Sequence, residues 1–159
     1  MLAPIVIFAF NRPTALDRAL SALKVNPEAI DSDIYIFIDG PREGNDDDRI
    51  KIDKIHALLN NIQGFRSVTT KFSNHNQGLG PSIISGVSEI ISKYGKTIVM
   101  EDDLVVQANF LKFMNEGLIK YHECSDVFSI CGYTNRIKPP KDYPYDAYCD
   151  TRSSKGLSV

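Results

Sequence analysis

The chain has 159 residues, 43% of them hydrophobic and 24% charged, with a net charge of −2 and a pI near 5.9. That length fits one domain with a sizeable core, and the charge balance excludes a general nucleic-acid binder, which carries a basic excess. No apolar run approaches the ~20 residues that span a bilayer, so no membrane span is expected.

The opening MLAPIVIFAFNRP lacks a basic start and a small-residue cleavage site, and reads as a first strand instead of a signal peptide. Within it, PIVIFAF (4–10) is a continuous apolar run of the length of a strand buried on both faces. Asn11-Arg12-Pro13 breaks it, and TALDRALSALK follows with Leu16, Leu20 and Leu23 on one helical face. Thr14 and Asp17 have the spacing of a capping box. A second strand, DIYIFID (33–39), closes at Gly40-Pro41. From Asn45 a helix is expected with Ile52, Ile55, Leu59 and Ile62 inward, and Asp46-Asp47-Asp48 in its first turn as a solvated start favoured by the dipole.

SVTTKF (67–72) is the third predicted strand. After SNHNQGLG, a helix starting at Pro81 presents Ile84, Val87, Ile91 and Tyr94 and stops at Gly95. TIVME (97–101) is the fourth strand, residues 107–122 a helix with Phe110, Met114, Leu118 and Tyr121 in line, and VFSICGY (127–133) a fifth strand. The remainder is rich in Pro and Tyr without periodicity. Strands alternating with helices imply an α/β fold with a mostly parallel central sheet flanked by helices, where ligands sit beyond the carboxyl ends of the strands. Arg12, Asp39, His75-Asn76 and the acidic triplet Glu101-Asp102-Asp103 all fall there.

The glycine-loop phosphate cradles are excluded. The first strand–helix turn, FNRPT, has no glycine, Gly78-x-Gly80 is followed by Ile83 where a third glycine belongs, and no Gly-x-x-x-x-Gly-Lys occurs. The other route to a diphosphate is a hard divalent cation, Mn²⁺ or Mg²⁺, held by carboxylates with water and phosphate oxygens. The triplet at a strand end supplies such carboxylates; the residues alone leave this reading and a solvated turn both open.

Four segments, PIVIFAFNRPTALDRALSAL, IYIFIDGPR, NHNQGLGPSIISGV and TIVMEDDLVVQANFLKFMN, together resemble the nucleotide-binding half of a GT-A glycosyltransferase, of the N-acetylglucosaminyltransferase I type and related bacterial family-2-like enzymes. The resemblance covers most of residues 3–135, and Glu-Asp-Asp-Leu is similar to that family's form of the Asp-x-Asp metal motif. It implies a GT-A, Rossmann-like nucleotide-diphospho-sugar transferase core over 1–135 and a loop-rich start of an acceptor region over 136–159. It also implies Asp103 as metal ligand, Glu101 and Asp102 on the ribose, donor sugar or metal-bound water, Arg12 on the diphosphate, and Asp39 on the base. His75 and Asn76 would lie near the base or sugar. For Arg12 the competing reading is an ion pair with Asp17, for Asp39 a turn cap at Gly40, and for His75 a polar loop.

The expected activity is metal-dependent transfer of a sugar from a nucleotide diphosphate donor, UDP-linked, to a hydroxyl of a glycan or other acceptor, with inversion. The alternatives are a nucleotide-sugar-binding module with little turnover, and a metal-dependent phosphoryl-transfer or hydrolase domain. Family members continue past this length into a Trp-rich stretch, whereas TRSSKGLSV ends the chain and Trp is absent. The acceptor half is therefore expected to be missing, the catalytic base is unassigned among Asp142, Asp146 and Asp150, and self-association is expected from uncovered apolar surface. Cys124, Cys131 and Cys149 show no Cys-x-x-Cys spacing and read as free, structural thiols of a cytoplasmic, reducing compartment. His56 and His122 have no ligand set nearby, and Tyr133, Tyr143, Tyr145 and Tyr148 suit packing or sugar stacking.

Overall fold

All five residues of strand β1 (Ile5–Ala9) are buried, as a strand with neighbours on both edges and helices on both faces requires. It lies inside a four-stranded, all-parallel sheet in a computed structural model that describes residues 1–132. The other strands are β2 (Asp33–Ile38), β3 (Ser67–Phe72) and β4 (Ile98–Glu101), and the spatial order is β3-β2-β1-β4. Ile5 aligns with Ile34 on one side and Ile98 on the other. Helices α1 (Pro13–Lys24), α2 (Asp46–Leu59) and α3 (Leu79–Tyr94) make the three crossovers, and α4 (Phe110–Lys120) follows β4. The chain is thus α/β and Rossmann-like, as the alternating pattern predicts.

Strand order dictates where the helices go. Right-handed crossovers toward β2 and β3 put α1 and α2 on one face, and the return to β4 on the far side of β1 puts α3 on the other. Accordingly Leu16, Leu20, Leu23, Ile52, Ile55 and Leu59 pack with Ile5, Ile7, Ile34 and Ile36, joined by Leu111 and Met114 of α4. Val6, Phe8 and Tyr35 meet Ile90 of α3. Each such fully buried aliphatic side chain contributes about 1.5–3 kcal/mol.

Two buried asparagines lock α4 in place. Asn115 Oδ1 accepts from the Ala3 amide at 2.8 Å, and Asn26 Oδ1 accepts from the Leu111 amide at 3.0 Å. Asn26 opens a 3-10 segment, Pro27–Asp31, that the periodicity does not reveal.

Local details depart from expectation. The predicted Thr14/Asp17 capping box does not form: Pro13 takes the first turn, where its fixed φ and missing N–H fit, and Arg12 becomes the N-cap without a side-chain cap bond. Helix α3 begins two residues before Pro81, with Gly78 at φ 82° as its N-cap, and it ends at left-handed Gly95 as expected. Its inward face is Ile83, Gly86, Val87, Ile90 and Tyr94, while Ile84 and Ile91 are exposed. A Cβ on Gly86 would lie 2.8 Å from Phe8 Cε1, so only the face bearing this glycine can seat so close to the sheet.

Helix α4 is shorter than 107–122, and Tyr121 is exposed, not aligned inward. No strand forms over residues 127–132. That segment lies instead along α4, where a Cβ on Gly117 would come 2.8 Å from Ile130 Cδ1 and one on Gly132 would come 2.6 Å from Phe110 Cε2. Cys124 and Cys131 are free and exposed. Tyr133, Tyr143, Tyr145, Tyr148, Asp142, Asp146, Asp150, Cys149 and the expected boundary at 135/136 lie outside the described residues. Among the described residues no helix is long and apolar enough to cross a membrane.

Candidate functional site

In the order β3-β2-β1-β4 the chain direction across the sheet reverses between β1 and β4, and open α/β sheets bind ligands in the crevice at such a point. A cavity of about 320 Å³ opens there. Phe8, Phe10, Phe37 and Leu79 form its apolar wall, and Arg12, Asp39, Asn76, Glu101 and Asp102 its polar one. Phe8 and Phe37 stack with centroids 5.4 Å apart and planes 25° from parallel. These aromatic walls are absent from the sequence-based candidates because both rings read as strand interior; their place at strand ends was the available signal.

The acidic triplet occupies a turn in which Asp103 faces solvent while Asp102 is buried. The Asp102 amide extends the sheet ladder to the Phe8 carbonyl at 3.1 Å, and the Leu104 amide closes the turn on the Glu101 carbonyl. Asp102 is left only 1% exposed. Its Oδ1 accepts from Arg12 Nη2, while Asp103 Oδ2 accepts from Arg12 Nη1 at 2.8 Å. Arg12 therefore pairs with the triplet and not with Asp17. Asp102 Oδ2 is buried with no hydrogen-bond partner. Burial pushes the Asp102 carboxyl above its ordinary pKa, against the opposing pull of Arg12.

Asp39 is 9% exposed and anchors the loop after β3. Its Oδ1 accepts from the amides of Gly40 and Gln77, and its Oδ2 from the amide of Gly78, each at 2.9 Å. The turn-capping role is thus present, and Oδ2 retains one accepting position beside the cavity. Asn76 donates from Nδ2 to the Gly40 carbonyl at 3.1 Å and lines the cavity. Gly40 is needed for this approach: a Cβ there would fall within 2.6 Å of the His75 backbone. His75 itself is exposed and lies outside the cavity wall, as does the half-exposed Asp103.

A second carboxylate centre lies next to the first. Asp48, expected to be solvated, is wholly buried. Arg42 grips it with Nε at 2.7 Å and Nη2 at 2.9 Å, Asn11 Nδ2 donates at 2.6 Å, and the Arg42 amide adds a bond at 3.2 Å. The Arg42 fork holds its carboxyl well below the usual range. Asp46 and Asp47 remain exposed, as expected of a helix start. Asp48 thereby fixes Asn11, the residue before Arg12. One signal was present: Asn45 and Asp48 have capping spacing, and the Asp48 amide does donate to Asn45 Oδ1 at 3.1 Å.

Among the described residues no three His, Cys, Asp or Glu side chains form a closed metal cage. The donors that exist fit a more open ligand set. One buried carboxylate oxygen lacks a partner, Glu101 lines the same cavity, and Asp103 adjoins them. A hard cation that keeps its waters and takes phosphate oxygens requires only one or two protein carboxylates. Comparison of the sequence with models of protein families and with curated proteins finds no match to either.

Proposed function

We propose that the chain is the donor-binding core of a GT-A glycosyltransferase, holding a nucleotide diphosphate sugar, UDP-linked, with Mn²⁺ or Mg²⁺ for transfer to a hydroxyl acceptor. The observation that carries this reading is the division of one cavity, with stacked aromatic rings and Asp39 toward β2 and, toward β4, Glu101 and Asp102 beside the Arg12 guanidinium, which also pairs with Asp103. A planar base suits the first end, and a diphosphate bridged to a cation suits the second. Asp39 Oδ2 would accept from a base N–H. Asp103 would hold the cation, with Glu101 and Asp102 on its waters or the donor sugar.

In the transfer, an acceptor oxygen forms the new bond to the anomeric carbon while the bond to the diphosphate oxygen breaks, and the electron pair leaves with the diphosphate. Arg12 would offset that growing negative charge. The bound cation would add Lewis-acid stabilisation of the same leaving group. The proton of the acceptor needs a base that no described residue is assigned.

Calorimetric titration of UDP, with and without Mn²⁺, tests the reading. The wild type should bind UDP far better with Mn²⁺, and Asp103→Ala should lose most of that gain, about tenfold or more in affinity. Absence of metal-dependent binding in the wild type overturns it. Release of UDP from UDP-sugars only when an acceptor is present then separates a transferase from a binding module, and release by water alone favours a hydrolase.

A further inference from the structure

We propose that Arg12 is a built-in occupant of the cation site, so that a divalent metal and a nucleoside diphosphate enter together, each removing an obstacle to the other. The inference deepens the nucleotide reading above and rests on it for the identity of the anion.

The helix does not account for the position of Arg12. It is the N-cap of α1 and makes no cap bond, and the helix macrodipole disfavours a cation there. What holds it is the acidic turn, through one nitrogen on each of Asp102 and Asp103. Those carboxylates are the oxygens a hard cation would use, so guanidinium and metal compete for one set of donors at close range. The clasp is incomplete, because Asp102 Oδ2 stays buried without a partner and one guanidinium is shared between two carboxylates. A dication with its waters can serve an oxygen that the planar fork leaves unserved.

Arg12 can also leave. Its side chain is 50% exposed and lines the cavity, so turning toward a diphosphate uncovers no core. A diphosphate supplies the bidentate oxygens that the fork prefers and draws Arg12 off Asp102 and Asp103. Asp102 and Asp103, once vacated, would be free to hold the metal, whose charge would offset that of the diphosphate. Two ligands that each favour one arrangement of Arg12 must strengthen each other by one common factor.

The test is a titration of Mn²⁺ alone, read by loss of the free-ion electron paramagnetic resonance signal, on the full chain and on Arg12→Gln, with circular dichroism to show both folded. Arg12→Gln should bind Mn²⁺ about tenfold or more tighter than wild type without nucleotide, and should bind Mn²⁺–UDP more weakly, in the usual range of coupling between two sites. In the wild type, UDP should raise Mn²⁺ affinity by the factor by which Mn²⁺ raises UDP affinity. If Arg12→Gln does not fold, Arg12→Lys, which keeps charge but loses the fork, should bind Mn²⁺ more tightly than wild type. Equal Mn²⁺ affinity in the wild type and a folded variant overturns the clasp, even where Mn²⁺–UDP binds well. A gain in Mn²⁺ affinity without any UDP binding supports the clasp and overturns the nucleotide reading.

Discussion

Asp48 and Asp102 are both carboxylates with almost no exposed surface, and their surroundings treat them in opposite ways. Asp48 has donors on both oxygens, with the Arg42 fork and Asn11 converging on it, so its charged form is the favoured one. Asp102 has Arg12 on one oxygen and no well-formed hydrogen bond on the other, and burial outweighs the pull of Arg12 and the Phe10 amide. Such a contrast marks Asp48 as a group that holds structure and leaves Asp102 with an unmet demand for a partner. Asp48→Asn should therefore lower the urea midpoint at pH 7 clearly, since it removes the charge that pairs with Arg42 and turns one accepting oxygen into an NH2 that meets the Arg42 or Asn11 donors, whereas Asp46→Asn and Asp47→Asn should barely move it. Equal effects at all three positions would place Asp48 back among solvated residues. Nothing local distinguishes the three acids except the Asn45 spacing. Asn11 arrives from 37 positions away, and such a partner is not legible in a linear pattern.

Helix α3 joins the core to the cavity, because its first turn borders the cavity and its middle presses on the rings that form the cavity wall. Its apolar residues satisfy helical spacing on more than one stripe. Periodicity therefore identified a helix without identifying its face, and the deciding contact is a glycine. Gly86→Ala would drive a Cβ to 2.8 Å from Phe8 Cε1 and 3.2 Å from Phe37 Cε1. Overpacking of this kind costs about 1–3 kcal/mol, against about 0.5–1 kcal/mol gained from replacing a helical glycine. The net expectation is a loss of about 1 kcal/mol in urea unfolding. Gly80→Ala meets no atom within 4 Å and should be neutral or stabilising by a few tenths of a kcal/mol. Opposite signs at two glycines of one helix would establish the close approach; a stabilising Gly86→Ala would refute it. The predicted fifth strand failed for a related reason, since an apolar run carries no instruction to join a sheet edge when α4 offers Phe110 and Gly117 as a surface.

For the whole molecule, four strands, their parallel direction and the convergence of Arg12, Asp39, Asn76, Glu101 and Asp102 on one cavity were legible because strand–helix alternation leaves few topologies and puts all loops after strands on one edge. What was not legible was pairing across that edge, in particular that Arg12 sits on the acids. This arrangement shapes how stability varies with pH. Asp48 and Asp33, held by Arg42 and Arg66, have lowered pKa values, so their contribution is complete above the unfolded value of about 3.9 and is lost as pH falls through their folded values. Asp102 has a raised pKa, so its ionisation opposes folding at neutral pH, and that penalty lifts as pH falls through its folded value toward about 3.9. Urea unfolding across a pH series should then show stability rising as pH falls through the folded value of Asp102 toward about 3.9, and falling below that as Asp48 and Asp33 take up protons. Asp102→Asn should remove the rise and keep the acid fall, because it deletes the buried charge while Asp103 still holds Arg12. A rise that survives in Asp102→Asn would mean that another group carries it, and that the unpartnered oxygen at the centre of the site is not the strained one.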